Sequence, residues 1–594
     1  MQKTDSGGMD KRTFIAFALM ILVWVAFTQL MPRRPRQEPV APEPQPTEQI
    51  AAQEPFGGPA EAIPQIEPPR GAVASTPTGG TLGFTNTLPA EEREVAIEGP
   101  LFRAVFSTRG ATLKSWKLRN YTDASEELVE LVQDFPGALG VQVLGPEGTL
   151  DLSRVIFAVE EAWDTRSDAP EQTRLLRFTA EGTLDDGVTP LRVERIYRVN
   201  LSRYDMEMEL LVAGITNERR DHHCSISWER GIPNLETQPK LEKAAKAAVA
   251  LLAEEFVKDA LGGGRFSCGC PGGGGAKPGE HTHEGILRWA GVKGKYFGGL
   301  LVPEREMQAT FISRTEPDRS EAGMRVVLPL DPSGETFYRF AVYAGPIDYW
   351  ILRDVEERLQ HDVTRVVDFG FKLIQPISKA AYWFMEKVHT VVPNYGLVIV
   401  ILSIFVRLIF HPLNVKMMQS QRKMQALKPE LDALNEKYKD NPEQRTKKTM
   451  ELHKQHGVNP LSGCLPSLVQ LPVLFALYNV LLNTIALRKE PFVLWIRDLA
   501  SPDTIGEVMG IPINPLPIIM GITMFLQQKM TPTDPKQAPM LMLMPLMMIF
   551  FLYSFPSGLA LYWTTMNLMQ IVQQLLMKPA TLKPAPAAEA KGRK

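Results

Sequence analysis

The chain has 594 residues, 44% of them hydrophobic and 22% charged, and a formal net charge of -2. That length points to more than one domain, and four cysteines exclude a disulfide framework for a chain of this size. There is no G-x4-G-K-[ST] phosphate loop and no H-E-x-x-H helix, which removes ATP-driven transport and zinc proteolysis.

The net charge is uninformative as a total, because a polar half precedes a very apolar one. Phe14 to Met31 is an apolar run between Lys11-Arg12 and Arg33-Arg34-x-Arg36, near the minimum length for a membrane span. A cleaved signal peptide is the competing reading. The run ends in Phe-Thr-Gln-Leu-Met-Pro without a small-x-small cleavage site, so residues 1–31 read as an uncleaved anchor. Residues 32–90 are rich in Pro, Glu, Gln and Ala, with little to bury, and read as a disordered tether.

Residues 91–350 change to short alternating segments. Leu191, Val193, Tyr197 and Val199 share one parity, with Arg192, Glu194 and Arg198 on the other. Such alternation, with Gly, Asp and Pro punctuation, predicts an antiparallel β-sandwich. Within it, Leu241 to Leu261 is Ala-, Lys- and Glu-rich and predicts an inserted helix leading into a Gly-rich loop, Gly262 to Gly279. Cys268 and Cys270, His281 and His283, and the run His222-His223-Cys224 offer soft and imidazole ligands for zinc or copper. Their spacing matches no standard zinc pattern, and the loop reads as a flexible insertion instead, with no metal site assigned.

The chain then turns apolar again. Residues 366–390 are amphipathic, with Phe371, Ile374, Ile377, Ala381, Phe384 and Val388 on one side, which predicts a helix lying in the membrane interface. In the stretch Tyr395-Gly-Leu-Val-Ile-Val-Ile-Leu-Ser-Ile-Phe-Val-Arg407-Leu-Ile-Phe-His411-Pro412, one guanidinium sits in a segment otherwise apolar enough to enter a bilayer. A charge at that depth costs roughly 3 kcal/mol and is kept where it faces water, a partner or a substrate. The competing reading is an arginine that snorkels to lipid phosphate and anchors its helix.

Four further spans are expected at about Cys464 to Leu482, Ile511 to Leu526, Met540 to Tyr553 and Gly558 to Met577, so that residues 391–577 form a helical core. Two are short for a normal bilayer, which implies thinning, tilt or exposure to a wet groove. Many of the 25 Met fall here, as in Met540-Leu-Met-Leu-Met544, which suits lipid-facing filler or a surface that packs against varied partners. Residues 412–459 carry an excess of Lys and Arg that places them in the cytoplasm. Met417, Met424, Leu427, Leu431, Leu434 and Tyr438 fit a/d spacing and Asn441-Pro442 breaks it, giving a helical hairpin. Lys529, Lys536 and the basic tail, residues 578–594, agree with that orientation. Six spans with both termini in the cytoplasm put the β domain in the periplasm.

Several of these stretches together resemble the YidC/Oxa/Alb family of membrane protein insertases in its long Gram-negative form. They are the helix around Arg407; Asn459-Pro-Leu-Ser-Gly-Cys-Leu-Pro-Ser-Leu-Val-Gln470; Pro491-Phe-Val-Leu-Trp495-Ile-Arg-Asp498; Gly521-Ile-Thr-Met-Phe-Leu-Gln527-Gln528-Lys-Met530; and Phe555-Pro-Ser-Gly558-Leu-Ala-Leu-Tyr562-Trp563. The likeness is strong from Val366 to Met577 and weaker in the β domain, where Ser107-Thr-Arg-Gly110 and Tyr296-Phe297 are its anchors.

The resemblance implies a single-subunit bundle with a hydrophilic groove open to the cytoplasm and to lipid. It implies Arg407 as the groove arginine, Ser403 as a hydroxyl contact for substrate, and Gln527, Gln528 and Trp563 as lining residues. In some Gram-negative members a Tyr stands where Trp563 does, so the ring here is an apolar contact or a polar tip. The implied partners are nascent membrane proteins, ribosomes, the Sec translocon and membrane lipids, with no cofactor, no nucleotide and no catalytic residue. The alternative of a different class is a polytopic transporter whose Arg407 binds an anionic solute; transporters usually show internal repeats, and none is visible.

Overall fold

The computed structural model describes residues 81–133, 137–164, 172–184, 189–215, 221–261, 278–415, 419, 423, 427–439, 441–456, 465–530 and 538–576. The N-terminal anchor, the tether as far as residue 80, Cys268, Cys270, Met417, Met424, Cys464 and the basic tail lie outside the described residues. The tether expected over 32–90 is corrected at its end, where Thr81–Leu82 and Phe84–Asn86 pair into the β domain.

The first half is a β domain of two sheets. The larger has 16 strands and closes no barrel; its path runs from Thr81–Leu82 through His223–Trp228, Gly279–Lys293 and Pro190–Asn200 to Phe84–Asn86. Its pairings are antiparallel apart from Thr81–Leu82 with Gly148–Asp151. The smaller sheet has four strands, Glu94–Glu98, Phe102–Ser107, Thr112–Thr122 and Leu128–Glu130. The two layers meet where Phe106 packs on Phe178 and Tyr197. Leu191, Val193, Tyr197 and Val199 all face this core, as their shared parity predicts.

Arg195 has the same parity and is also fully buried. Its guanidinium donates to the Gly110 carbonyl at 2.9 Å and the Leu139 carbonyl at 2.7 Å, while the Tyr197 hydroxyl donates to the Ala111 carbonyl at 2.8 Å. These bonds tie the Ser107–Gly110 anchor motif across to the large sheet. Charge alone assigns Arg195 to the surface; backbone carbonyls exposed by a neighbouring turn hold it inside.

The helix expected over Leu241–Leu261 is corrected. A short helix α1, Pro239–Ala245, gives way to a hairpin of Ala247–Leu252 and Glu255–Ala260. All six residues Ala247–Leu252 are buried, and the strand pairs with Gly279–Lys293 on its other side. Sheet pairing outweighs the helix propensity of alanine, which amounts to tenths of a kcal/mol per residue. His281 and His283 sit on Gly279–Lys293, whereas His222 lies beside Glu147 near a different edge. Among the described residues no group of three His, Cys, Asp or Glu converges on a metal position.

The second half is helical: α2 Tyr349–Leu359, α3 Gln375–His389, α4 Tyr395–Ile409, α5 Lys428–Lys437, α6 Pro442–Gln455, α7 Leu465–Asn483, α8 Pro515–Met530, α9 Ala538–Leu552 and α10 Ser557–Leu576. Helix α10 is central and packs on α4, α7 and α8. In α3 the buried residues are Ser378, Ala381, Tyr382 and Met385; of the expected apolar side, Phe384 and Val388 also pack on the core, while Phe371 is exposed and precedes the helix. Residues Ile511–Ile513, expected to open a span, instead pair with Gly506–Val508, and the helix starts at Pro515. Asn441 caps α6 by accepting from the Gln444 amide at 3.1 Å, and α5 and α6 pack together. Among the described residues no helix is long and apolar enough to cross a membrane.

The two halves are bolted together. Arg288 and Lys258 of the β domain pair with Asp362 and Asp368 at 3.0 and 2.9 Å, and Lys293 donates to the Val366 carbonyl at 3.0 Å. These bonds fix the connection that leads into α3.

Candidate functional site: a guanidinium on an amide stripe

Helix α4 begins where the Asn394 side chain accepts from the Leu397 amide at 3.0 Å, leaving an apolar run to build the helix. Its buried face takes Val398, Ile399, Leu402, Ser403, Val406 and Arg407, while Leu397, Phe405, Leu408 and Ile409 point outward. Arg407 therefore falls on the inner stripe by helical periodicity. It is 7% exposed.

Helix α10 meets it. Thr564, Asn567, Gln570 and Gln573 recur every third residue along α10, and all four are buried. Arg407 Nη2 donates to Gln570 Oε1 and, at 2.6 Å, to Gln573 Oε1. Gln573 Nε2 lies 3.2 Å from His411 Nδ1, and Asn567 Nδ2 lies 3.4 Å from Thr523 Oγ1 on α8. A polar seam thus runs through an otherwise apolar bundle, from α8 across α10 to the end of α4. Arg407 Nε is buried and makes no hydrogen bond among the described residues, and none of the ion pairs among them includes Arg407.

A guanidinium carries five donors in a fixed fork and keeps its charge throughout the ordinary pH range. Here amide oxygens, which are neutral, satisfy part of it. An incoming carboxylate would make charge-assisted bonds roughly twice as strong. The seam is therefore chemically suited to exchange an amide for an acidic or strongly polar group.

Of the other residues named from sequence, Ser403 shares the buried stripe of α4 with Arg407. Ser403 is fully buried one turn before Arg407, and its hydroxyl donates to the Ile399 carbonyl at 2.7 Å. Gln527 and Gln528 are half-buried in the last turn of α8, and Trp563 is half-buried on α10 against the core. Gln570 and Gln573, the direct partners of Arg407, were not among them. Their signal was present in the three-residue spacing of polar side chains within the apolar Gly558 to Met577 stretch.

Residues 94–384 match the family model described as YidC periplasmic domain, and residues 387–583 match that of the 60Kd inner membrane protein. Fold, site and these matches define a class: inner-membrane proteins that join a periplasmic β domain to a helical core with a cationic interior. The chain is 31% identical to the membrane protein insertase YidC of Chlorobium luteolum, over 95% of this chain and 94% of that protein. It is 32% identical to the membrane protein insertase YidC of Geobacter metallireducens, over 98% of this chain and 100% of that protein. The chain belongs to the YidC family of membrane protein insertases.

Proposed function

We propose that this chain inserts integral membrane proteins and helps them fold, admitting a polar or acidic tail to the seam around Arg407. The hydrophobic segment then leaves sideways into lipid. Burial of its apolar surface, at about 25 cal/mol per Å², drives the step without a nucleotide. Arg407, Ser403, Gln527, Gln528 and Trp563 are the proposed lining. The observation that carries this reading is a buried guanidinium held by two amide oxygens rather than a carboxylate.

In this reading the chain has six spans: the anchor within residues 1–31, and α4, α7, α8, α9 and α10. Helix α3 lies in the interface and the hairpin of α5 and α6 lies in the cytoplasm, where its basic surface meets ribosomes. The chain works alone or beside the Sec translocon. Helices α4 and α9 have 15 residues each, which at 1.5 Å per residue is about 22 Å, short of the roughly 30 Å hydrocarbon core. A locally thinned bilayer around them shortens the path a polar tail must cross.

The test is insertion into vesicles containing the purified protein, using short single-span substrates that differ only in tail charge. Arg407→Ala should impair acidic-tailed substrates more than neutral ones. Equal loss for both, or none, contradicts the charge-attraction role.

A further inference from the structure

Two turns after α7 carry bulky apolar residues where turns ordinarily place glycine or asparagine. Leu494 (φ 58°) is 86% exposed, and Met509 (φ 54°) is 97% exposed. The left-handed region disfavours both side chains, and at that exposure packing among the described residues offsets little of the cost. Met509 and Gly510 form the tip of the hairpin Gly506–Val508/Ile511–Ile513. Its register pairs Val508 with Ile511 and Glu507 with Pro512. Cross-strand partners share a face, so Val508, Ile511 and Ile513 lie on one side and Glu507 on the other.

Both tips stand on a rigid base. The Trp495 indole N–H donates to Asp503 at 2.9 Å, and the same carboxylate oxygen accepts from the Leu516 amide at 2.6 Å at the start of α8. The Tyr553 hydroxyl donates to the Pro512 carbonyl, which anchors the hairpin beside the end of α9. The base also lies on the β-domain side of the bundle, because Arg488 pairs with Glu236 at 2.8 Å. From there the outward faces of α8 and α9 continue in apolar residues such as Ile522, Leu546 and Phe550. Leu499 to Gln528 contains no Lys or Arg.

We propose that Leu494 and Met509 are paired lipid anchors: the two tips dip into the headgroup–acyl boundary of the leaflet facing the β domain. Exposed apolar tips suit an interface, and they continue the apolar belt of α8 and α9 that faces lipid in the membrane placement proposed above. The anchors hold the loop end of α8 level with the membrane, about two helical turns from Thr523 of the seam. This rests on the membrane placement of the bundle given above.

The test uses full-length protein carrying Cys268→Ser, Cys270→Ser and Cys464→Ser, reconstituted in phosphatidylethanolamine–phosphatidylglycerol vesicles. Cys224 stays, since its thiol is buried and pushed up to about 12. Nitroxides are placed by Leu494→Cys or Met509→Cys, with Phe550→Cys on the belt and Asp318→Cys on the β domain as references. Relative collision rates with oxygen and with a water-soluble nickel chelate report immersion. Both tips should resemble Phe550→Cys, with several-fold preference for oxygen. Tips resembling Asp318→Cys beside an immersed Phe550→Cys overturn the anchors alone; an aqueous Phe550→Cys overturns the membrane placement itself. Spin–spin broadening at the tips, showing a second copy, or immersion only after client is added, showing a client surface, also overturns the proposal.

Discussion

Arg488 Nε lies 2.8 Å from Glu236 Oε1, with the two side chains 4% and 15% exposed, and so joins the segment after α7 to the β domain. The Phe297 ring lies under the guanidinium at 5.3 Å, and Lys489 donates to Thr122 Oγ1 and the Asp123 carbonyl at 2.7 and 2.6 Å. Removing one partner of a buried pair strands the other charge, a loss of about 3–5 kcal/mol. Arg488→Met is expected to lower the thermal midpoint in detergent by that order and to speed proteolysis between the halves. The double variant Arg488→Met/Glu236→Met should recover part of the loss, because no lone charge remains; a double-mutant cycle measures it.

The amides on α10 should matter as a pair. Gln573→Leu leaves Arg407 with Gln570, whereas Gln570→Leu/Gln573→Leu removes both acceptors from a buried cation, again about 3–5 kcal/mol. Insertion of a short single-span substrate should fall modestly in the single variant and by more than tenfold in the double one. Equal activity of the two would show that the amides do not hold the guanidinium.

Lys293 gives the β domain a pH dependence. Burial, with repulsion from Lys258 and against attraction from Asp368, holds its ammonium down at about 8. The folded form therefore binds fewer protons than the unfolded chain between pH 8 and the free lysine value near 10.4. Stability should rise through that window, by up to about 3 kcal/mol from this group, and be lowest below pH 8. Lys293→Met should flatten the rise, as measured by unfolding between pH 7.5 and 10.

Gly396 packs under Phe492, where an added Cβ would overlap the ring. Gly396 lies in the first turn of α4, where the helix preference for alanine over glycine is at most about 1 kcal/mol. Overpacking by 1–3 kcal/mol should win here, so Gly396→Ala is expected to lower the thermal midpoint rather than raise it.

Much of the architecture was legible because it repeats locally. Period-two alternation exposed the strand Pro190–Asn200, and apolar runs located α7, α9 and α10 to within a few residues. Legibility failed where a distant partner decides. Ala247–Leu252 has a helical composition and becomes a strand because Gly279–Lys293 offers it hydrogen bonds. Arg195 interrupts a core face because Gly110 and Leu139 present carbonyls to it.

The same division holds at the site. Sequence by itself singled out Arg407, because a lone guanidinium among apolar residues is costly wherever it lies and its position in α4 follows from helical period. It could not say what the charge meets. Gln570 and Gln573 stand 163 and 166 residues away, and only the packing of α4 on α10 brings their oxygens to it. The contact exists because two helix stripes, each spaced by its own local rule, are pressed face to face by burial of the apolar residues around them.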